Sequence, residues 1–191
     1  MPFNIPIFLT WLRIVLIPLL IAVYYLPESW ASLQERNLIA TSVFVVAGAT
    51  DWLDGYLARA LNQTSAFGAF LDPVADKLMV AAALIMLVQL DRTNAVIAAI
   101  IIGREITISA LREWMAKIGA SKSVAVSMIG KIKTTAQMAA IPLLLYQQPV
   151  AGVDVLSAGT WLIYIAAVLT LWSMGYYMRM AWPEIARHVD K

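Results

Sequence analysis

The chain has 191 residues, of which 61% are hydrophobic and only 14% charged, and its mean hydropathy is +0.76. That balance is too apolar for an ordinary soluble domain and points to a single multispanning membrane domain over residues 1–191. The absence of cysteine excludes disulfides, thiolate metal sites and cysteine nucleophiles, while the net charge of +2 matters less than where the charges lie.

In chain order, the first element runs from Met1 to about Pro27. Asn4-Ile5-Pro6-Ile7-Phe8 and Thr10-Trp11-Leu12-Arg13 precede the apolar run Ile14 to Leu26. Without a basic start or an A-x-A cleavage site, this reads as a retained helix and not as a removed signal peptide. Pro6 and Trp11 predict a short interfacial segment leading into the span. Polar residues Glu28 to Asn37 form a loop, and a second helix runs from Leu38 to about Leu61. The polar run Asn62-Gln63-Thr64-Ser65 makes a turn, and a third helix follows from Phe67 to about Leu90, with Pro73 tolerated in its first turns. The fourth helix is expected from Ala95 to Ile118, the fifth from Ser123 to Leu145 and the sixth from Leu156 to Met178, with a polar tail from Arg179. Spans of roughly 20 to 25 residues match a bilayer core of about 30 Å. The expected architecture is therefore all-α and polytopic, six transmembrane helices with a short N-terminal interfacial segment.

Six spans place Arg13, Arg59, Lys77, Arg104, Arg112, Lys117, Lys122, Lys131, Lys133, Arg179, Arg187 and Lys191 towards one face and leave Arg36 and Arg92 for the other. The positive-inside bias makes the basic face cytoplasmic, with both termini inside.

Four carboxylates stand out against this background. Asp51 and Asp54 close the second helix and Asp72 and Asp76 open the third, each pair beside a strongly apolar run. An aspartate near the bilayer centre costs roughly 2.5 to 3.5 kcal/mol, so four of them need an offsetting charge, and a cation is the obvious candidate. Residues three and four apart share a helix face, which aligns Asp51, Asp54, Gly55 and Ala58 on one helix and Gly68, Asp72 and Asp76 on the next. A tight turn at 62–65 would fold the two helices antiparallel and bring the pairs to one depth. Axial rises of about 4.5 Å and about 6 Å within the pairs suit two ions roughly 3.5 to 4 Å apart. An all-oxygen donor set favours a hard ion, Mg²⁺ or Mn²⁺, over zinc.

Gly55 and Ala58 leave room for a ligand to approach the backbone, and are equally apt for close helix packing. Arg59, one turn from Asp54 and Gly55, is placed to meet a phosphate or to mark the cytoplasmic end of its helix. Arg104 and Arg112 lie two turns apart and about 80° around the fourth helix. Lys131 and Lys133 are about 200° apart, so one faces inward and the other snorkels. Cations beside a carboxylate cluster suggest an anionic substrate with its own phosphate; ion pairing with Glu105, Glu113 or lipid headgroups is the plainer reading of the same arginines.

The pattern D-x-x-D-G-x-x-A-R-x8-G-x3-D-x3-D is matched at all eight fixed positions from Asp51 to Asp76, and it resembles the signature of the CDP-alcohol phosphotransferases, membrane enzymes of phospholipid synthesis. The resemblance implies that Asp51, Asp54, Asp72 and Asp76 hold the metals, with Asp76 also the base that accepts the proton of the attacking hydroxyl. It further implies that Gly55, Ala58, Arg59 and Ser65 accommodate the cytidine diphosphate portion. Asn4, Thr10 and Arg13 are similar to the N-terminal element of bacterial members, which lies near the nucleotide and phosphate site; Phe8 departs from the Asn of some relatives. Gly103-Arg104-Glu105-Ile106, Ser109 to Trp114 and Gly130 to Gln137 resemble, with that element, the bacterial branch that uses glycerol 3-phosphate. For this branch the resemblance implies CDP-diacylglycerol as donor and CMP as leaving group. It also implies glycerol 3-phosphate contacts from Arg13, Arg104, Arg112, Lys131 and Lys133, a homodimer, and a bacterial cytoplasmic membrane with the site on its inner side. Another acceptor, inositol phosphate or serine, is open within the same chemistry, and a cation transporter is a distant alternative in which the carboxylates carry ions.

Overall fold

The computed structural model describes residues 5–60, 66–120, 128–150 and 152–189. Six helices account for nearly all of them: α1 Ile5–Val23, α2 Leu33–Ala60, α3 Ala66–Gln89, α4 Ala95–Lys117, α5 Met128–Tyr146 and α6 Val155–Val189. The expected turn at 62–65 and the expected start of the fifth helix at Ser123 lie outside the described residues.

Besides the end of α1, which falls at Val23 short of Leu26, three helix limits differ from expectation, each for a local reason. The stretch around Pro6 and Trp11 is not a separate piece but the first turns of α1, because a proline near a helix N-terminus removes an N–H that has no partner there anyway. The second helix begins at Leu33, not Leu38. Ser32 and Glu35 form a capping box, in which the Ser32 amide and hydroxyl both donate to Glu35 Oε2 at 2.8 Å and the Glu35 amide donates back to Ser32 Oγ. The polar residues after Met178 continue α6 to Val189, with Arg187 paired to Glu184 at 3.1 Å one turn away.

The short connection between α3 and α4 is closed by backbone bonds and a side chain. Arg92 N donates to Leu87 O at 2.8 Å with Asp91 in the left-handed region at φ 54°, a conformation Asp tolerates better than most residues. Asn94 then caps α4 by accepting from Val96 N. At the other end of α4, Ala120 N donates to Met115 O across Gly119, whose φ of 76° suits a residue without Cβ.

Helix α1 packs more extensively against both α2 and α3 than those two pack against each other, so it fills the groove between them. Helices α5 and α6 pack most extensively on each other, α6 also packs on α4, and α5 meets α2. The close approach of α5 and α6 depends on Gly159, where a Cβ would lie 2.9 Å from Leu144 Cγ and 3.1 Å from Leu143 Cβ. The main core draws on all six helices, with Leu20, Phe44, Leu84, Ile101, Ile141 and Ile163 among its fully packed members.

Large apolar residues also point outward, including Val15, Val45, Ile85, Ile106 and, on α6, Trp161, Ile165, Val168 and Trp172. Such a surface is far too apolar for water and suits lipid. By length and composition, Leu33–Leu57 within α2 and Val155–Arg187 within α6 are able to cross a membrane. The remaining helices are shorter or interrupted by charge: α1 has an apolar stretch only from Ile7 to Val23, while α3 carries Asp72, Asp76 and Lys77, and α4 and α5 carry Arg104, Glu105, Arg112, Lys131 and Lys133.

Beyond the predicted charge asymmetry, Arg92 has a structural task. Its buried guanidinium donates to the carbonyls of Leu144 and Leu145 at the end of α5 and to Asn37 Oδ1 in α2, and lies 6.0 Å from the centre of the Tyr24 ring. The negative end of the α5 dipole is thereby met by a cation that also ties α2 to the chain leaving α1.

Candidate active site

The four aspartates come together through α1. Arg13 Nη2 donates to Asp54 Oδ2 at 2.5 Å, and Nη1 reaches Asp76 Oδ1 at 2.5 Å and Asp51 Oδ1 at 3.1 Å. One turn earlier, Thr10 Oγ1 donates to Asp72 Oδ1 at 2.5 Å. The i, i+3 pair on α2 and the i, i+4 pair on α3 thus converge at one level, as their spacing predicts, but α1 stands between them and its polar face is the meeting point. Among the described residues no three carboxylates close directly around a common point; the Arg13 guanidinium lies among Asp51, Asp54 and Asp76, and Asp72 is held by Thr10. One guanidinium against four carboxylates leaves the cluster acidic, and the donors are all oxygen. In charge and chemistry the set therefore fits hard divalent cations. Asp54 is buried at 3% exposure, whereas the Asp51 and Asp76 side chains are 45% and 42% exposed and face open space.

That space is a cavity of about 360 Å³. Arg13, Asp51, Asp76 and Lys77 line it with Arg104, Glu105 and Arg112 of α4 and Lys133 and Gln137 of α5. Its apolar wall is Phe44, Ala47, Met79 and Val80. Of the two candidate lysines, Lys133 is buried and lines the cavity, while Lys131 is exposed and does not. Glu105 pairs with Lys133 of α5 and, at 3.4 Å, with Arg104 beside it on α4, so both buried cations have a counter-charge.

Helix α6 positions both arginines, although it contributes nothing to the cavity wall. Ser173 and Tyr177, four residues apart on one face, meet Arg104 and Arg112. Arg104 Nη2 donates to Ser173 Oγ at 3.1 Å, and Arg112 Nη2 donates to Tyr177 Oη at 3.1 Å. The two guanidinium carbons lie 5.6 and 5.1 Å from the centre of the Tyr177 ring, a cation–π arrangement that two adjacent positive charges need. Both arginines keep a buried Nε without a partner.

Other predicted contacts fall as follows. Gly55 lies on the carboxylate helix with open space where a Cβ would be, so the backbone there is approachable. Asn4 and Ser65 lie outside the described residues, as do the side chains of Ala58 and Arg59 in the last turn of α2. Thr10, predicted at the nucleotide, and Arg13, predicted at the acceptor phosphate, both contact the carboxylates, and Arg13 also lines the cavity. Lys77, Gln137, Ser173 and Tyr177 are site residues that the sequence alone does not single out. Polar residues recurring at helical spacing, Lys133 with Gln137 and Ser173 with Tyr177, were the available signal.

Known proteins resemble this chain over nearly its whole length. Over 183 residues the chain is 51% identical to a protein of Salmonella choleraesuis named CDP-diacylglycerol--glycerol-3-phosphate 3-phosphatidyltransferase, covering 95% of this chain and 96% of that one. Proteins of the same name from Haemophilus influenzae and Escherichia coli K12 are also 51% identical, over 187 and 183 residues, and each alignment takes in 95% of this chain and at least 95% of the relative. The model of the CDP-alcohol phosphatidyltransferase family matches residues 3–172, a stretch that includes Thr10, Arg13, all four aspartates and every basic residue of the cavity. A match of that extent, taking in the acidic cluster and its cavity, makes the chain a member of the CDP-alcohol phosphatidyltransferase family.

Proposed function

We propose that the chain is a CDP-diacylglycerol–glycerol-3-phosphate 3-phosphatidyltransferase, a phosphatidylglycerophosphate synthase serving phosphatidylglycerol synthesis. The observation that carries this reading is one cavity whose wall holds Asp51 and Asp76 together with Lys77, Arg104, Arg112 and Lys133. An acidic cluster suits a metal-assisted pyrophosphate donor, and a basic cluster in the same space suits an acceptor that brings its own phosphate, which serine does not. The shared name of the three relatives supports the same assignment.

Members of this family generally depend on a divalent metal. Here Asp51, Asp54, Asp72 and Asp76 would hold two ions, Mg²⁺ or Mn²⁺, whose bound charge stabilises the pyrophosphate and the departing CMP. Arg104, Arg112 and Lys133 bind the acceptor's phosphate and turn its terminal hydroxyl towards the carboxylate end. The hydroxyl oxygen bonds to the lipid-side phosphorus of CDP-diacylglycerol, the bond from that phosphorus to the CMP oxygen breaks, and CMP leaves with the electron pair. Asp76, open to the cavity, takes the hydroxyl proton. By the family resemblance, Gly55, Ala58, Arg59 and Ser65, with Asn4 and Thr10, would take the cytidine diphosphate, and the acyl chains would lie in the bilayer.

In this reading all six helices cross a bacterial cytoplasmic membrane, both termini are cytoplasmic and the enzyme is a homodimer. Outward-facing apolar residues on helices that also carry buried charge support spans beyond the two that hydropathy alone identifies. The test is CMP release by the purified enzyme with Mg²⁺, CDP-diacylglycerol and a panel of acceptors. Turnover is expected with glycerol 3-phosphate and not with inositol phosphate or serine; no turnover with glycerol 3-phosphate removes the assignment.

A further inference from the structure

Gln137 is 3% exposed and lines the cavity, yet its Oε1 has no hydrogen-bond partner. A buried carbonyl oxygen without a donor is uncommon in folded proteins and calls for a reason. Gln137 follows Lys133 by four residues, so the two share a face of α5 with the lysine one turn nearer its start. Its neighbour Met138 packs on α2 at Gly48, where a Cβ would lie 3.3 Å from Met138 Cε, and Gly48 precedes Asp51 by three residues. Gln137 is therefore a buried cavity residue beside the turn of α2 that leads into Asp51, in a wall that also holds Phe44, Ala47, Met79 and Val80.

The chemistry of that position selects a hydroxyl. A phosphate dianion has no hydrogen to give an amide oxygen, and the cations of α4 and α5 already provide for it. An alcohol both donates and accepts, so it satisfies the amide whichever way its tip is turned. Resting on the glycerol 3-phosphate reading, we infer that Gln137 binds the acceptor's middle hydroxyl, the one that does not attack. It thereby distinguishes a three-carbon polyol phosphate from a simple alcohol phosphate. A site built to pair a substrate hydroxyl rejects the analogue lacking it more strongly than an apolar pocket rejects a methylene.

The experiment is a competition in one vessel between glycerol 3-phosphate and propane-1,3-diol monophosphate, which keeps the phosphate and the attacking hydroxyl but lacks the middle one. The product ratio reads kcat/KM discrimination and is independent of how much enzyme is active. Wild type is expected to favour glycerol 3-phosphate by about tenfold or more, and Gln137→Met, of similar volume, to bring the ratio to within about threefold of one. A wild-type ratio near one, a Gln137→Met ratio like that of wild type, or an inactive Gln137→Met each overturns the inference, since loss of one hydroxyl contact slows this reaction without abolishing it. A second arm compares CDP- and 2′-deoxy-CDP-diacylglycerol. If Gln137→Met changes that preference instead, Gln137 reads the donor's ribose and the inference fails. Wild type inactive with glycerol 3-phosphate but active with another acceptor marks failure of the functional reading itself.

Discussion

Replacing Arg112 with alanine isolates the acceptor end of the cavity. The guanidinium is fixed on one edge by Tyr177 Oη at 3.1 Å and stacked 5.1 Å from that ring, while its buried Nε lacks a partner. A pre-fixed fork with unfilled donor capacity is suited to a phosphate, and a hydrogen bond to a charged group contributes about 1.5 to 3 kcal/mol. At about 1.4 kcal/mol per factor of ten, the KM for glycerol 3-phosphate should rise by roughly 10- to 150-fold. The KM for CDP-diacylglycerol should stay within about twofold, because Arg112 is remote in sequence and helix from the residues assigned to the donor. Tyr177→Phe keeps the ring and loses only the hydroxyl, which at about 1 kcal/mol gives a rise of about fivefold. The assay is CMP release at saturating donor with varied acceptor. An unchanged acceptor KM in Arg112→Ala, or equal increases in both KM values, would refute the assignment of this cluster to the acceptor phosphate.

Three further outcomes follow from other parts of the structure. Asp76→Asn should abolish turnover while leaving the protein folded in detergent, because the amide still accepts a hydrogen bond from Arg13 but takes no proton; residual kcat above about 1% of wild type, against the roughly 10²–10⁴-fold contribution of a general base, would count against its role. Arg92→Met removes three hydrogen bonds and strands buried carbonyl groups at the end of α5, so it should destabilise by about 3 kcal/mol or more, seen as a lower unfolding temperature, with both KM values unchanged. Gly159→Val puts a branched side chain where even a Cβ meets Leu144 at 2.9 Å, and overpacking of this kind costs about 1 to 3 kcal/mol; wild-type thermal stability in that variant would show that α5 and α6 do not approach as described.

The acidic half of the site was legible because chemistry and geometry coincide there. Carboxylates at i, i+3 and i, i+4 inside apolar helices need a shared face and a shared counter-charge, and Asp51, Asp54, Asp72 and Asp76 do meet at one level. That Arg13 and Thr10 mediate the meeting was not legible, since nothing in the spacing of α2 and α3 says that α1 lies between them. Arg92 was visible only as a charge on the sparser face; its task depends on carbonyls more than fifty residues away. Tyr177 and Ser173 resemble the ordinary contents of an apolar helix until α4 is packed against them. The early start of α2 is written in Ser32 and Glu35, and polarity alone marks that stretch as loop and ends α6 early because it does not distinguish a capped or solvated helical turn from a loop.

Anomalous scattering from Mn²⁺ in crystals grown with CDP-diacylglycerol tests the central physical claim most directly. Two peaks among Asp51, Asp54, Asp72 and Asp76, with the pyrophosphate against them and the cytidine along Gly55, are the expected result. Manganese bound elsewhere, or a pyrophosphate held only by Arg104, Arg112 and Lys133 with no ion at the aspartates, would contradict it.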